Sequence, residues 1–307
     1  MSLFQRLIFL LGKLVVRWLS KFRPLWYLLP ALAPLIVFSI YPAFYSLVLS
    51  FFEVAPFSGE HFYVGVDHYR ELASDSEYFQ SLLATATFAM ISVPMSVGAS
   101  LVLALLLEQR PYAAGTLRTL FLLPLGVSPA MAAMLWIFLF NPTAGYLNYV
   151  LELLHIPGPN WLTEPRWAML AVCITTVWKE IGFNLIFFLG GLAAISPSIL
   201  EAARIDGAGY WRQLRSVQLP LLAPTLLFVC VISIIHACES FGQIHILTHG
   251  GPADATNVLV YKIYRDGFEY FRAGFASAQA VILLIIVLSL TALQFLFLSR
   301  KMHYGNS

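Results

Sequence analysis

Two apolar stretches of this sequence contain charged and polar side chains at helical spacing, a pattern that favours a polar path through an apolar environment. In residues 167–193, Lys179 and Glu180 lie near the centre, and Asn184 follows four residues after Glu180. Residues 221–246 contain a stripe of polar residues spaced at most four apart: Ser233, His236, Glu239, Ser240 and Gln243. Because an ionisable group inside a membrane costs roughly 2.5–3.5 kcal/mol on insertion scales, both stripes should face protein or a cavity.

These side chains allow two interpretations. In the first, the two stripes line a solute path, in which Lys179 and His236 suit an anionic headgroup. In the second, Lys179 forms a structural ion pair with Glu239 or with Glu180 that locks two helices together. The sequence alone leaves both interpretations open.

Metal chemistry and enzyme chemistry find less support. His245 and His249 are four residues apart, the spacing of a two-histidine metal site. However, no HExxH motif is present and His245 falls at a predicted helix end, so we predict no metal site. The predicted spans contain no metal motif either, and we predict that the chain is not an enzyme.

The composition indicates which environment must hold these side chains. Of 307 residues, 59% are hydrophobic and 11% are charged, and the mean hydropathy is +0.78. A soluble domain contains about 25% charged residues, so this chain has too little charge to cover a surface in water. Together with a net charge of +2, this excludes a soluble enzyme and a nucleic-acid binder, and indicates a polytopic protein in a lipid bilayer.

Six stretches are apolar and long enough to cross the bilayer as helices, which takes about 20 residues each. They are residues 26–52, 81–107, 117–140, 167–193, 221–246 and 276–298. Proline and glycine interrupt several of them, which membrane helices tolerate when neighbouring helices pair the freed backbone groups. The predicted fold class is therefore all-α, a polytopic membrane protein with six transmembrane helices and one distinctive cytoplasmic loop.

The positions of Lys and Arg set the predicted orientation. Most of them lie near the two termini and in the connections after the second and fourth spans, which places both termini in the cytoplasm. We predict a cytoplasmic amphipathic segment at 1–24, a transmembrane domain at 25–300 and a cytoplasmic tail at 301–307. Four basic residues of the first segment share one helical face, as in a helix lying on a membrane surface; a further span is the alternative.

The connection between the fourth and fifth spans, residues 196–220, has a pattern of its own. Pro197 suits the start of a helix, and Ser198 with Glu201 fits a capping box. Gly207 and Gly209 should end that helix, and residues 210–217 can form a second short helix before Pro220. Two short helices joined by a glycine turn predict a rigid protrusion that docks on a cytoplasmic partner.

This loop carries a family resemblance. The series EAA, three residues, Gly, nine residues, an aliphatic residue, any residue and LP resembles the coupling loop of binding-protein-dependent ABC importer permeases. Here its positions are Glu201, Ala202, Ala203, Gly207, Val217, Leu219 and Pro220, with valine at 217 where isoleucine is usual. Residues 136–142, 177–188 and 250–268 are similar to permeases of the carbohydrate-uptake family, and most similar to its glycerol-3-phosphate type.

The resemblance implies a set of partners in a bacterial inner membrane. They are a second homologous permease subunit, two cytoplasmic ATPase subunits that the coupling loop contacts, and an external solute-binding protein. Trp161 lies near a predicted membrane interface, where an amphipathic ring belongs to the aromatic belt; contact of Trp161, or of the segment 261–268, with the binding protein is the alternative. No GxxxxGK[ST] phosphate loop occurs in the sequence, so we expect no cofactor in this chain and ATP hydrolysis by the partner subunits.

The cargo and the energy source have alternatives. The resemblance implies glycerol-3-phosphate or a related glycerol phosphate ester as the solute; a disaccharide, an oligosaccharide or a polyol glycoside is the alternative within the same importer class. A stand-alone ion-coupled secondary transporter is the alternative from another class, since Glu180 and Glu239 could carry protons. Against it, the sequence lacks the internal repeats that many such carriers show.

Overall fold

The computed structural model describes residues 23–108 and 111–299. Within these ranges the chain is mostly helical, and a short antiparallel hairpin pairs Phe52–Val54 (β1) with His61–Tyr63 (β2). The predicted amphipathic segment and the tail from 301 lie outside the described residues, apart from the start of the first helix. The predicted helical class is therefore confirmed for the part of the chain that the structure describes.

The helices differ widely in length, and short turns of 3-10 or π geometry join some of them. In chain order the α-helices are α1 (Arg23–Leu35), α2 (Tyr41–Leu49), α3 (Asp67–Ser74), α4 (Ser76–Glu108), α5 (Pro111–Leu122), α6 (Pro129–Leu139), α7 (Tyr146–Leu153), α8 (Pro165–Ala193), α9 (Pro197–Ile205), α10 (Tyr210–Gln213), α11 (Leu219–Leu221), α12 (Ala223–Cys238), α13 (Gly242–Leu247), α14 (Leu259–Tyr264) and α15 (Ala273–Ser299).

Four helical segments of the described chain are long and apolar enough to cross a membrane, and two further segments are bent. The four are Tyr27–Leu49, Ser76–Glu108, Pro165–Ala193 and Ala273–Leu296. The bent pairs are Gly115–Gly126 with Pro129–Leu139, at 106°, and Tyr210–Leu221 with Ala223–Cys238, at 65°. Counting each bent pair as one span gives six.

The predicted spans at 117–140 and 221–246 are therefore each broken within their length. In the first, the side chain of Ser128 accepts a hydrogen bond from the Met131 N–H (3.3 Å), and Pro129 takes the first helical position. A serine cap followed by proline starts a new helix in a new direction. In the second, the helix ends at Cys238.

The core of the bundle lies where α4 and α8 run side by side in the same direction, with α12 against both. Small polar residues allow close packing there, as is usual between membrane helices; the Ser100 hydroxyl donates to the Ile181 carbonyl across the two helices (3.2 Å). The β1–β2 hairpin, α3 and α14 gather at one end of the bundle, the hairpin end. The 196–220 loop lies at the other, the loop end.

Gly182 in α8 should be essential for this packing. A Cβ atom there would lie 2.5 Å from the Phe121 carbonyl oxygen, so Gly182→Ala must push α5 away from α8. We expect a loss of about 1–3 kcal/mol of stability, seen as a lower melting temperature of the detergent-purified protein. Gly98→Ala in α4, where nothing lies within 4 Å, is the matched control. Equal melting temperatures for the two variants would contradict this expectation.

The hairpin end is held together by a buried ionic cluster. The Lys262 ammonium, whose side chain is 3% exposed, lies 3.2 Å from Asp266, 3.5 Å from Glu77 and 3.6 Å from Asp75. Arg265 extends the cluster by pairing with Glu77 and, at 3.1 Å, with Asp254. These contacts tie the start of α4 to α14 and to the turn that follows it.

Of the residues considered for contact with an external partner, Trp161 and those of segment 261–268, only some are exposed. Trp161 is 8% exposed and its indole N–H donates to the Asn148 side chain (2.7 Å). Its prediction as a surface contact was wrong, because the ring fills the core beside Phe140. Tyr261 is buried as well, and burial raises the pKa of its hydroxyl above the usual value, whereas Phe268 is 71% exposed.

Candidate functional site

A polar cavity of about 210 Å³ lies between α8, the end of α12 and the start of α6. Its lining residues are Pro129, Lys179, Glu180, His236, Glu239, Ser240, Phe241, Gly242 and Gln243. The principal candidates for the solute path are Lys179, Glu180, Asn184, His236, Glu239 and Gln243, and all of them except Asn184 line the cavity. An isolated charge inside a membrane requires such an environment, because hydrocarbon offers it no hydrogen-bond partner.

The central contact of the cavity is an ion pair between two helices. His236 Nδ1 lies 2.9 Å from Glu180 Oε2, and both side chains are partly buried. Of the two interpretations, the ion pair of Lys179 with Glu180 or Glu239 is not formed in the described part of the chain. Lys179 lines the cavity, and within the described ranges none of the carboxylates lies within 4 Å of its ammonium. The reason is local geometry: Glu180 points across to α12, where its Oε2 contacts the imidazole.

The polar stripe of the fifth span is not a single helical face. The helix ends at Cys238, so Glu239, Ser240 and Phe241 form an irregular connection before α13. Gln243 in α13 is buried and accepts hydrogen bonds from Thr176 (2.8 Å) and Ser240 (3.3 Å). Irregular backbone at membrane depth is tolerated where it lines a cavity, and this connection lines the polar cavity.

Asn184 is the one candidate that the structure keeps out of the cavity. It is fully buried between α8 and α12, where its carbonyl oxygen accepts a long hydrogen bond from Ser233 (3.4 Å). Asn184 lies one turn beyond Glu180 on the same face of α8, and both residues contact α12. Asn184 therefore belongs to the polar contacts that join the helices.

The bend of the third span brings the start of a helix to the cavity, which the sequence analysis did not predict. Because α6 begins at Pro129, its amino-terminal end lies at the cavity. A helix amino terminus carries a partial positive charge of roughly +0.5, so it adds to the positive side of the cavity. The dipeptide of Ser128 and Pro129 is a helix-start signal and would have located this break.

The 196–220 loop forms the two short helices that the sequence predicts, with different caps. The first helix, α9, begins at Pro197 with Ser196 at the cap position, so the capping box of Ser198 with Glu201 was wrong. It ends at Ile205. The turn that follows contains Gly207, whose φ of +77° suits glycine, and the Ala208 N–H donates to the Ala203 carbonyl (2.9 Å).

The second helical part of this loop is hydrogen-bonded to the glycine turn. It also continues past Pro220, where the sequence analysis predicted its end. The Gln213 side-chain amide donates to the Ala208 carbonyl (2.6 Å). After α10 the chain continues through a π-helical turn into α11, so that Pro220 lies within the helical segment and the bend comes at Leu222.

The loop exposes much of its surface. Among the motif positions, Glu201, Ala202, Gly207 and Pro220 are exposed, and Ala203, Val217 and Leu219 are half-buried. Large apolar side chains beside them are exposed as well: Ile199, Ile205, Tyr210 and Trp211. An exposed apolar patch at one end of a molecule is typical of a protein–protein contact.

Two histidines, four residues apart in the chain, have the spacing of a metal site. His245 and His249 pack edge to face, with ring centroids 5.2 Å apart. The described residues contain no group of three or more His, Cys, Asp or Glu side chains that could hold a metal ion.

Comparison with known proteins gives consistent matches for the fold and the sequence. The chain superposes on a chain of a bacterial alginate ABC transporter, solved in complex with an alginate pentasaccharide-bound periplasmic protein. The TM-score is 0.79 at 24% identity, covering 94% of this chain and 98% of that one. The sequence of the present chain is 39% identical over 289 residues to the sn-glycerol-3-phosphate transport system permease protein UgpA of Agrobacterium fabrum. This match covers 93% of the present chain and 98% of the relative.

A second relative is the protein of the same name from Pectobacterium atrosepticum, which is 37% identical over 288 residues, covering 93% of this chain and 97% of that one. The helical bundle, the bent spans and the polar cavity therefore belong to the permease class of ABC transporters. Residues 96–303 match the family described as "Binding-protein-dependent transport system inner membrane component". The chain belongs to this family of inner membrane components, as its sequence motifs indicate.

Proposed function

We propose that this chain is the permease subunit that carries glycerol-3-phosphate, or a related glycerol phosphate ester, across the inner membrane. The 39% identical relative is a permease for sn-glycerol-3-phosphate, and its match covers almost the whole of both chains. In this proposal an external binding protein delivers the solute at the hairpin end. Both termini and the 196–220 loop lie in the cytoplasm, and a second homologous permease completes the pore.

The arrangement of charges in the cavity is the observation that carries the proposal. Glu180 is engaged by His236 at 2.9 Å, which leaves the Lys179 ammonium facing the cavity without a carboxylate within 4 Å in the described part of the chain. A phosphate monoester offers several acceptor oxygens, and hydrogen bonds to charged groups are the strong ones. Lys179 and the start of α6 suit the phosphate, while Glu239 and Gln243 suit hydroxyl groups.

The partner ATPases are proposed to bind at the 196–220 loop. In the proposal, the contact is made by Glu201, Ala202, Ala203, Gly207, Val217, Leu219 and Pro220. The exposed apolar side chains beside them support a protein partner rather than solvent or lipid. Because a ligand shifts an equilibrium only through its different affinities for the two states, nucleotide must act on the cavity through this docked surface.

Reconstitution of the complex tests this function directly. The complex of both permeases and the ATPase subunits is placed in vesicles with ATP at the ATPase side and the liganded binding protein at the other. Uptake of labelled glycerol-3-phosphate that requires both ATP and the binding protein is the expected result. Uptake of a disaccharide alone would overturn the assignment of the solute. Uptake driven by an ion gradient without the ATPase subunits would overturn the transporter class.

Lys179 is the side chain whose loss should matter most for an anionic cargo. Lys179→Gln removes a charge-assisted hydrogen bond of about 1.5–3 kcal/mol, so uptake should fall at least about tenfold. Lys179→Arg keeps the charge and should retain most uptake. The measurement is the initial uptake rate in the same vesicles, with stimulation of ATP hydrolysis by the binding protein as the control for assembly. Normal uptake by the glutamine variant would argue for a purely structural lysine.

A further inference from the structure

Aromatic rings continue from the polar cavity toward both ends of the bundle. Toward the hairpin end, Phe241 lines the cavity and packs on Tyr264, with ring centroids 4.8 Å apart. Tyr264 in turn stacks on Phe268 at 5.5 Å, and Phe268 is exposed. An unbroken series of three rings therefore connects the cavity with the outer surface.

A second series runs from the cavity toward the loop end. The His236 imidazole lies 5.3 Å from the ring of Phe183. Phe183 contacts Phe187 at 4.9 Å, and Phe187 contacts Phe228 at 4.8 Å. Phe187 and Phe228 line another cavity, of about 580 Å³, beside Gly190. This series thus ends in an apolar space near the start of α12.

Helical spacing places this second series on the same face as the charged residues. On α8, Lys179, Phe183 and Phe187 are each four residues apart, and residues at this spacing share a face. On α12, Phe228 lies two such steps before His236. The rings and the charges therefore form one continuous surface along both helices rather than separate patches.

We propose that these rings form a translocation lane for a solute that combines an anionic group with carbon-bound hydrogen faces, such as a phosphorylated polyol. The lane is defined as Phe268, Tyr264, Phe241, Phe183, Phe187 and Phe228, with the polar cavity between its two halves. The inference rests on the proposed function and adds the residues that recognise the carbon skeleton. The rings pack on the apolar faces of the solute before and after Lys179 holds its charge.

Transport requires such a series of weak sites. A solute bound only at the charged cavity would be held too firmly to leave, whereas passage needs binding that is weak and divided among several sites. Phenyl rings supply apolar contact area without hydrogen bonds, so each ring holds a carbon skeleton weakly. The absence of charged residues from the lining of the second cavity suits release of the solute after it has left Lys179.

The test replaces rings of the lane by leucine, which keeps an apolar side chain. Tyr264→Leu, and separately Phe183→Leu with Phe187→Leu, are compared with wild type in the reconstituted vesicles. We expect uptake to fall roughly 2- to 10-fold for each ring removed, the range that corresponds to one aromatic contact. Hydrolysis of ATP stimulated by the liganded binding protein should stay close to the wild-type rate, because the substitutions leave the 196–220 loop unchanged, so that fewer solute molecules are carried per ATP.

Controls separate this proposal from the proposed function. Phe138→Leu in α6 removes an exposed ring outside the lane and should leave uptake unchanged. Phe183→Tyr with Phe187→Tyr keeps the ring faces and should retain uptake.

The outcomes distinguish the lane from the proposed function. If wild type imports glycerol-3-phosphate and the leucine variants import it equally well, the lane is wrong. If the complex with Phe183→Leu and Phe187→Leu does not assemble, Tyr264→Leu alone decides, and import equal to wild type by that variant means that the lane is wrong. If wild type imports no glycerol-3-phosphate, the proposed function itself fails.

Discussion

A complex that carries tryptophan in place of Ala202 and Ala203 should lose ATP-driven uptake altogether. These two positions lie on α9, of which no residue is buried, so a larger side chain there does not disturb the fold of the permease. A partner that docks on a small, flat face cannot accommodate two indole rings, and overpacking of a closely packed contact commonly costs 1–3 kcal/mol for each residue, or about 2–6 kcal/mol for two. Uptake should therefore fall to the level measured without ATP.

The measurement combines uptake with copurification of the ATPase subunits. Ala194→Trp is the matched control, because Ala194 is also an exposed alanine near the loop end but lies outside the motif. The control should bind the ATPase subunits and import solute as wild type does. A double tryptophan variant that assembles and imports normally would remove the 196–220 loop from the coupling mechanism.

Lys262→Met should destabilise the permease more than any single change of an exposed charge. The substitution leaves Asp266 and Asp75 close together at the hairpin end without the ammonium that compensates them. Removing one partner of a buried ion pair costs about 3–5 kcal/mol, because the remaining charge stays buried. We expect the melting temperature of the detergent-purified complex to fall by at least about 5 °C.

Two comparisons test the physical reason for this loss. Arg70→Met breaks the ion pair with Asp67 on the surface of α3, where both side chains are largely exposed; surface pairs contribute little, so the melting temperature should barely change. Adding Asp266→Asn to Lys262→Met removes one of the uncompensated charges and should restore part of the loss. A Lys262→Met variant as stable as wild type would show that the cluster is not structural.

The 196–220 loop illustrates what local sequence can predict. Its two short helices and the glycine turn at Gly207 depend on backbone preferences and on hydrogen bonds between residues a few positions apart. The structure contains all three. The capping residue was misplaced by two positions because both Ser196 and Ser198 can cap a helix, and only the start of α9 at Pro197 distinguishes them.

The ion pairs illustrate what local sequence cannot predict. Lys179 and Glu180 are neighbours in the sequence, yet Glu180 pairs with His236, 56 residues away. Likewise, Lys262 compensates Asp75 and Glu77, which lie far from it in the chain. A charged side chain is attracted to every opposite charge near it. The partner of each side chain therefore depends on which helices pack together and on how each helix is rotated.

Composition and hydropathy by themselves determined that this chain is a helical membrane protein, because apolar segments of this length are stable only in lipid. The EAA motif by itself identified the permease family, which the comparisons confirm. Only the tertiary structure decided that the third and fifth spans are bent and that a cavity opens between the start of α6 and the end of α12 at Cys238. Only it showed which aromatic rings of α8, α12 and α14 lie in series beside the cavity. Short-range patterns specify helices, but helix contacts are long-range, and their geometry follows from packing of the whole bundle.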